Sequence, residues 1–204
     1  MYIQIDQLST ENIYFTMTQV VIPRPVAWVL TDSGNHKFNL APYSYFNAVC
    51  SDPPLILISA GRKPDDSPKD TRLNIERRRH FVVHIAHREL AEAMTQTSRT
   101  LPHGESELDW VDLKLAEFTG FSLPRLADCR IAMACELYEI KEVGSLPQSL
   151  IFGRVKSVYL DDSVCEEDAR GRLKIHADRV DPIGRLGGSE YVTFGRIISI
   201  PRPK

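Results

Sequence analysis

The segment from Gly61 to Thr71, Gly-Arg-Lys-Pro-Asp-Asp-Ser-Pro-Lys-Asp-Thr, sets two hydroxyls, Ser67 and Thr71, and two of its three cations, Arg62 and Lys69, around a helix-start signal. Ser67 reads as a capping hydroxyl, Pro68 as the first helical residue and Asp70 as the acid three positions after the cap. The helix itself is expected over 68–79. A helix start presents unpaired backbone N–H groups and the positive end of a dipole, which together suit an anion. With Ser67 and Thr71 as hydroxyls and Arg62 and Lys69 as cations, the fitting anion is a phosphate. The same pattern also serves as an ordinary cap in which Asp70 offsets the dipole. The segment taken alone leaves both readings open.

Three other stretches could carry chemistry. Asn39-Leu40-Ala41-Pro42-Tyr43-Ser44-Tyr45-Phe46-Asn47 sets small polar groups among aromatics ahead of a strand. Asn39, Ser44 and Asn47 could hydrogen-bond the edge of a flat heterocycle, or simply tie down a proline-centred bend. Met94-Thr95-Gln96-Thr97-Ser98-Arg99 puts hydroxyls and an arginine at a helix end, within reach of a polar ligand or of the last carbonyls. Ile183-Gly184-Arg185-Leu186-Gly187-Gly188-Ser189-Glu190-Tyr191 has three glycines around an arginine, permitting close backbone approach or a plain loop.

The elements that must position these groups are mostly strands. Val26–Thr31 follows two prolines that bar helix, and Asp32-Ser33-Gly34-Asn35 is a turn that should return the chain as a hairpin over 37–40. Strands are further expected over 45–51, 55–60, 81–86, 129–143, 150–160 and 191–200, and a helix over 89–97. The segment 98–106 reads as an exposed loop, and 107–128 has no clear period. Many hairpin-linked strands with two or three helices favour a closed or partly open β-barrel in a single domain spanning 1–204. A dinucleotide-binding glycine fingerprint is absent after the first strand.

Composition excludes other classes. The chain has 204 residues, 43% hydrophobic and 25% charged, with a formal net charge of −2, so there is no basic excess for a nucleic-acid backbone. Arg77-Arg78-Arg79 is the one dense basic run and reads as a solvated helix end. No apolar run reaches the roughly 20 residues that span a bilayer, and no secretory signal is evident, so a cytoplasmic location is expected. Cys50, Cys129, Cys135 and Cys165 have no metal or disulfide spacing and are expected to be reduced. The histidines show no ligand pattern, and no metal is expected.

In order and wording, several stretches resemble the flavin reductase-like, FMN-binding split-barrel family. They are Pro23–Val29, Asn39–Val49, Ser51–Leu55, Gly61–Lys63, Ser67–Thr71, Asn74-Ile75, Phe81–Val83, Glu89–Met94 and Leu186–Tyr191. His84 departs from the pattern, standing where relatives often carry asparagine. The resemblance implies a mainly β, Greek-key split β-barrel that forms a homodimer with FMN at the subunit interface. It implies that Ser67, Lys69 and Thr71 take the FMN phosphate, with Asp70 capping and pointing away. Ser44, Asn47 and Arg62 would lie near the ring system or ribityl chain, and Ser98, Arg185 and Tyr191 would approach the flavin. It further implies NAD(P)H as co-substrate, contacted through the 98–106 loop with His103, and a partner monooxygenase or other redox protein. The alternatives are a flavoredoxin-like electron carrier and a cofactor-free binding barrel. Hydride transfer to flavin asks the protein for position, a dry face and hydrogen bonds, so no acid, nucleophile or metal is expected.

Overall fold

A computed structural model describes residues 1–201 and Pro203. The chain opens with helix α1 (Thr10–Val20) and enters a run of strands: β1 (Arg24–Pro25), β2 (Ala27–Gly34), β3 (Lys37–Tyr43), β4 (Phe46–Ser51) and β5 (Pro54–Ala60). Then follow α2 (Asp70–Arg78), β6 (His80–Ile85), α3 (Ala91–Gln96), β7 (Leu115–Ala116) and β8 (Arg125–Leu126). The long hairpin β9 (Ile131–Val143) and β10 (Gln148–Leu160) precedes β11 (Cys165–Glu167), β12 (Leu173–Ile175), α4 (Ala177–Val180), β13 (Gly184–Arg185) and β14 (Tyr191–Val192). Among the described residues no helix is long and apolar enough to cross a membrane.

The main sheet has seven antiparallel strands in the order β3-β2-β6-β9-β10-β5-β4. Its two edge strands, β3 and β4, are consecutive in the chain and separated only by Ser44 and Tyr45. From Tyr43 to Phe46 the backbone spans at most about 11 Å. The sheet must therefore curl until its edges come together. Tyr45 marks the seam, its carbonyl accepting from Ser59 N–H of β5 at 2.8 Å.

Curling produces two apolar layers. One cluster takes residues from all seven strands, among them Val29, Ile58, Phe81, Val83, Cys135 and Ile151, and so fills the barrel. Ile75 of α2 joins that cluster. The other packs outside the sheet, where Trp28, Leu30 and Val82 meet Met94 of α3 and Phe118 and Leu126 of the 111–130 segment. Strand β2 is consequently buried on both faces from Ala27 to Thr31, which is why its sequence reads as a continuous apolar run. His84 fastens the outer layer to the sheet. Its Nδ1–H donates to Trp28 O at 3.0 Å and its Nε2 accepts from Leu126 N–H at 2.9 Å, which fixes a neutral tautomer.

Two sequence expectations are corrected. Residues 191–200 do not form a long strand: only Tyr191–Val192 pairs, with β13, and Ile197, Ile198 and Ile200 are exposed. Without a neighbouring strand, their apolar, β-branched sequence has no ladder to join. Helix α1 was not expected, because threonines interrupt its apolar pattern and Tyr14, Phe15 and Val20 remain exposed. Its start is capped by Ser9 Oγ, which accepts from Asn12 N–H at 3.3 Å. The other expected strands, and the helices over 70–78 and 91–96, fall where expected to within a few residues, whereas the short strands β1, β7, β8, β11, β12 and β13 were not expected.

Gly153, beside a β-bulge in β10, is required by the barrel interior, because a Cβ built there overlaps the fully buried Phe81 ring. Gly153→Ala should cost about 1–3 kcal/mol in denaturant unfolding. Phe81→Leu should recover part of that loss in the Gly153→Ala background, and an unchanged unfolding midpoint for Gly153→Ala would refute the packing argument. The buried His84 offers a second test, since burial above all lowers its pKa from 6.5 to about 4. A histidine with a depressed folded pKa lends stability above the unfolded value and loses it as pH falls toward the folded one. Between pH 7 and 4 the stability of the native protein relative to His84→Asn should fall by about 3 kcal/mol. Titrations common to both proteins cancel in that difference, and parallel stability–pH curves would contradict it.

Candidate functional site

The turn before α2 departs from the cap expected of it. Ser67 does not cap the helix: its N–H and Oγ both bond to Asp65 Oδ1, at 3.0 and 2.6 Å. This local Asx turn outcompetes the helix for the serine hydroxyl, and it holds the Asp65 carboxyl below its usual range. Pro68 lies outside the helix, in a β-bridge with Arg62. Arg62 in turn donates to Asp66 O at 2.7 Å. Arg62 and Ser67 thus serve the 62–68 turn and stand apart from the cavities lined by Lys69, Ser44 and Tyr191.

Asp70 is also reassigned. It is the first residue of α2 rather than a cap, and both of its oxygens are engaged, with Lys63 Nζ at 2.9 Å and His103 Nδ1 at 2.7 Å. His103, expected as a nicotinamide contact, is committed through that nitrogen to Asp70. Lys69 occupies the cap position without a side-chain cap bond, and the N–H groups of Asp70, Thr71 and Arg72 find no acceptor among the described residues. Around them lies a cavity of about 160 Å³. Lys69 and the buried Thr71 line it, and Thr71 Oγ1 accepts from Asn39 Nδ2 at 2.8 Å, so its own hydrogen is left to donate. Tyr43 lines it too. Its hydroxyl faces Thr71 but is buried without a well-formed hydrogen bond. Burial above all raises the Tyr43 pKa beyond its ordinary range, which keeps the group a donor.

The opposite wall is Thr97–Leu101 with Glu107, whose Oε2 accepts from Leu40 N–H at 2.8 Å. Burial raises the Glu107 carboxyl from 4.5 to about 7. Free amides, a lysine and a threonine thus meet at one partly open seat that suits an anion, with the buried Tyr43 phenol packed behind Thr71.

Two further cavities adjoin the seat. A second cavity of about 250 Å³ shares Pro42 and Ser98 with the first and is lined by Ser44, Arg185 and Tyr191. Ser98 Oγ bonds back to Thr95 O at 2.6 Å, and Tyr191 Oη lies 3.0 Å from Thr95 Oγ1. The Arg185 guanidinium sits over the Tyr191 ring, 4.6 Å from its centroid, and also donates to Gly188 O. A third cavity shares Ser44 and reaches Asn47, which is exposed and bonds locally to Ala48 N–H at 3.0 Å. Seven of the nine expected residues therefore line three neighbouring cavities, and Arg62 and Ser67 line none of these three.

Sequence reading passed over Arg24, Lys63 and Glu107 as site-forming groups. Arg24 is buried, and it donates to Thr18 O, to Val21 O at 2.7 Å, to Leu186 O at 2.8 Å and to Ser44 Oγ at 3.4 Å. It joins the end of α1 and the glycine-containing 183–191 segment to the sheet seam, with the carbonyl end of α1 offsetting its charge. An arginine between two prolines in an otherwise apolar stretch was the available signal. Glu107 carried none, since one acid after a polar loop looks solvated.

The fold is a curled seven-stranded sheet with an apolar interior and polar-lined cavities near its seam. Residues 17–179 match the family described as Flavin reductase like domain, and the chain belongs to it. Nitrilotriacetate monooxygenase component B from Bacillus cereus is similar throughout, with a TM-score of 0.89, 34% identity and 98% of each chain covered. The Pseudomonas fluorescens 2-nitrobenzoate 2-nitroreductase NbaA follows at a TM-score of 0.86 and 31% identity, covering 100% of this chain and 96% of its own. A split barrel domain protein of Shewanella frigidimarina shares the fold at a TM-score of 0.84 and 19% identity, with 100% of both chains covered. The architecture is thus the mainly β split barrel expected from sequence.

Proposed function

We propose that this protein is an FMN-dependent oxidoreductase that passes a hydride from NAD(P)H to flavin and works as a cytoplasmic homodimer supplying a partner oxygenase. The observation that carries the reading is the uncapped start of α2. Free amides, Lys69 and Thr71 meet at one partly open cavity there. Those donors suit a terminal phosphate. The adjoining cavity at Pro42, Ser44, Ser98, Arg185 and Tyr191 offers apolar and polar walls for the remainder of the molecule. Bound flavin would supply two-electron redox chemistry, for which the chain provides placement and exclusion of water. Membership in the flavin reductase-like family supports the flavin, and likeness to a monooxygenase component B supports an oxygenase partner. The exposed Tyr14, Phe15 and Val20 of α1 and Ile197, Ile198 and Ile200 of the tail support a second subunit.

Two measurements test this. Lys69→Ala combined with Thr71→Val removes two donors to a phosphate, each worth about 1.5 kcal/mol or more when charge-assisted. FMN should then bind about 100-fold more weakly while riboflavin, which has no phosphate, changes little. Equal losses for the two ligands would put the phosphate elsewhere. In steady state, oxidation of NADH or NADPH should require added FMN, and the double variant should raise the KM for FMN with little change in kcat. Absence of turnover in flavin-loaded protein would exclude a reductase and leave an electron carrier.

A further inference from the structure

The cavity of about 250 Å³ takes its walls from three separate parts of the chain. Tyr14 comes from α1, Pro42 and Ser44 from the sheet seam, and Arg185 and Tyr191 from the glycine-containing 183–191 segment. Burial does little to place the first of these, since Thr18 is the one buried residue of α1.

A single guanidinium ties the three parts together. Arg24 Nη1 donates to Thr18 O and, at 2.7 Å, to Val21 O, both at the end of α1. Its Nη2 donates to Leu186 O at 2.8 Å and its Nε to Ser44 Oγ at 3.4 Å. The Arg24 backbone also pairs with that of Arg185 in the β1–β13 ladder, so it fixes the strand that carries a cavity-lining arginine. Arg24 itself is 5% exposed, and it lines the neighbouring cavity with Asn47 but not this one. A planar fork with five N–H groups can serve acceptors in several directions, whereas a lysine ammonium offers three hydrogens from one point. Lysine cannot stand in for it here.

A second contact joins two of the walls without Arg24. Gln19 of α1 packs on Gly187, where a Cβ would come within 2.5 Å of Gln19 Cγ. The backbone at Gly187 is not left-handed, so packing rather than conformation calls for glycine there.

We infer that Arg24 is a positioning residue for the flavin ring, setting the walls of this cavity by holding α1 and the 183–191 segment against the sheet seam. This rests on the reading that the cavity takes the part of the flavin beyond its phosphate. It does not depend on where the phosphate sits, because riboflavin has none.

The test is equilibrium titration of the full chain with riboflavin and FMN for the native protein, Arg24→Lys, Gly187→Val and Gly153→Ala. Arg24→Lys should weaken both ligands by the same factor, about tenfold or more, the scale of one or two lost hydrogen bonds. Gly187→Val displaces Gln19 and leaves the guanidinium in place. It should weaken both ligands about threefold or more, and it decides the matter if Arg24→Lys does not fold. Bound riboflavin should also fluoresce more brightly in both variants, because Tyr14 and Tyr191 line the cavity and tyrosine quenches an excited flavin only at close range. Gly153→Ala perturbs the barrel interior instead, and should keep native affinities and native quenching despite its lower stability. Native affinity and quenching in folded Arg24→Lys or Gly187→Val overturns the positioning role. Equal losses in Gly153→Ala overturn it too, by marking a general effect of stability. Native protein that binds no riboflavin has a different meaning, since it removes the reading of the cavity on which the positioning role rests.

Discussion

Two residues, Ser44 and Tyr45, carry the chain from one edge of the seven-stranded sheet to the other, and that short tether governs the remaining architecture. A sheet with its edges held this close cannot lie flat, and the twist natural to antiparallel strands becomes closure. Closure removes most of the exposed edge that would otherwise recruit another strand. It also puts a premium on interior volume, which explains a glycine opposite Phe81 where a larger residue would collide. Two of the residues shared between neighbouring cavities, Pro42 and Ser44, lie at this seam. The cavities follow the line along which the sheet meets itself, and the buried Arg24 braces that line through Ser44 Oγ.

The seat depends in turn on the double burial of β2. Its inward residues Ala27 and Val29 belong to the barrel interior, while Trp28 and Leu30 support the outer layer. Because Trp28 is fully buried, its indole N–H needs a partner, and Thr97 provides it. One core hydrogen bond therefore sets where α3 ends and where the 97–107 segment begins. His84 does the equivalent for the 125–126 segment, bridging Trp28 O and Leu126 N–H through one neutral ring. An asparagine there would present donor and acceptor on a shorter arm.

Strands were legible in the sequence where burial was simple. The apolar run before Asp32 and the block over 55–60 could hardly be anything else, and the structure has both as strands. The site was legible at Thr71, Lys69, Ser44 and Ser98 because hydroxyls and a lysine cluster beside helix ends and a proline bend. Legibility failed where a neighbour in sequence competes for the same group. Asp65, two residues before Ser67, captures the hydroxyl that would otherwise cap α2. Lys63 and His103 capture the carboxylate of Asp70, the latter from 33 residues away, and no local pattern records that. The tail after Val192 failed for the opposite reason, since its β-forming residues have no strand beside them. The overlooked α1 draws little from its own amphipathicity and is held at its end by Arg24, a tertiary contact.

Glu107 raises the question of why an acid should line an anion seat. Part of the answer lies in β3, an edge strand whose Leu40 N–H points away from β2 and would otherwise be buried without an acceptor. A carboxylate satisfies it from a distance that a short side chain could not bridge. The electrostatic cost is limited, because burial raises the Glu107 carboxyl to about 7 and a proton can neutralise it near neutral pH. Asp70, the other acid of the seat, has its charge balanced by Lys63 and its second oxygen taken by His103. With those two carboxylates accounted for, Lys69 and Arg99 remain as the lining cations not matched to an acid. Arg99 is held by Gln96 Oε1 and lies over the Trp110 ring, whereas Lys69 makes no side-chain cap bond. Net positive charge at the seat thus comes from neutralising its acids rather than from adding bases, as befits a binding site inside a slightly acidic protein.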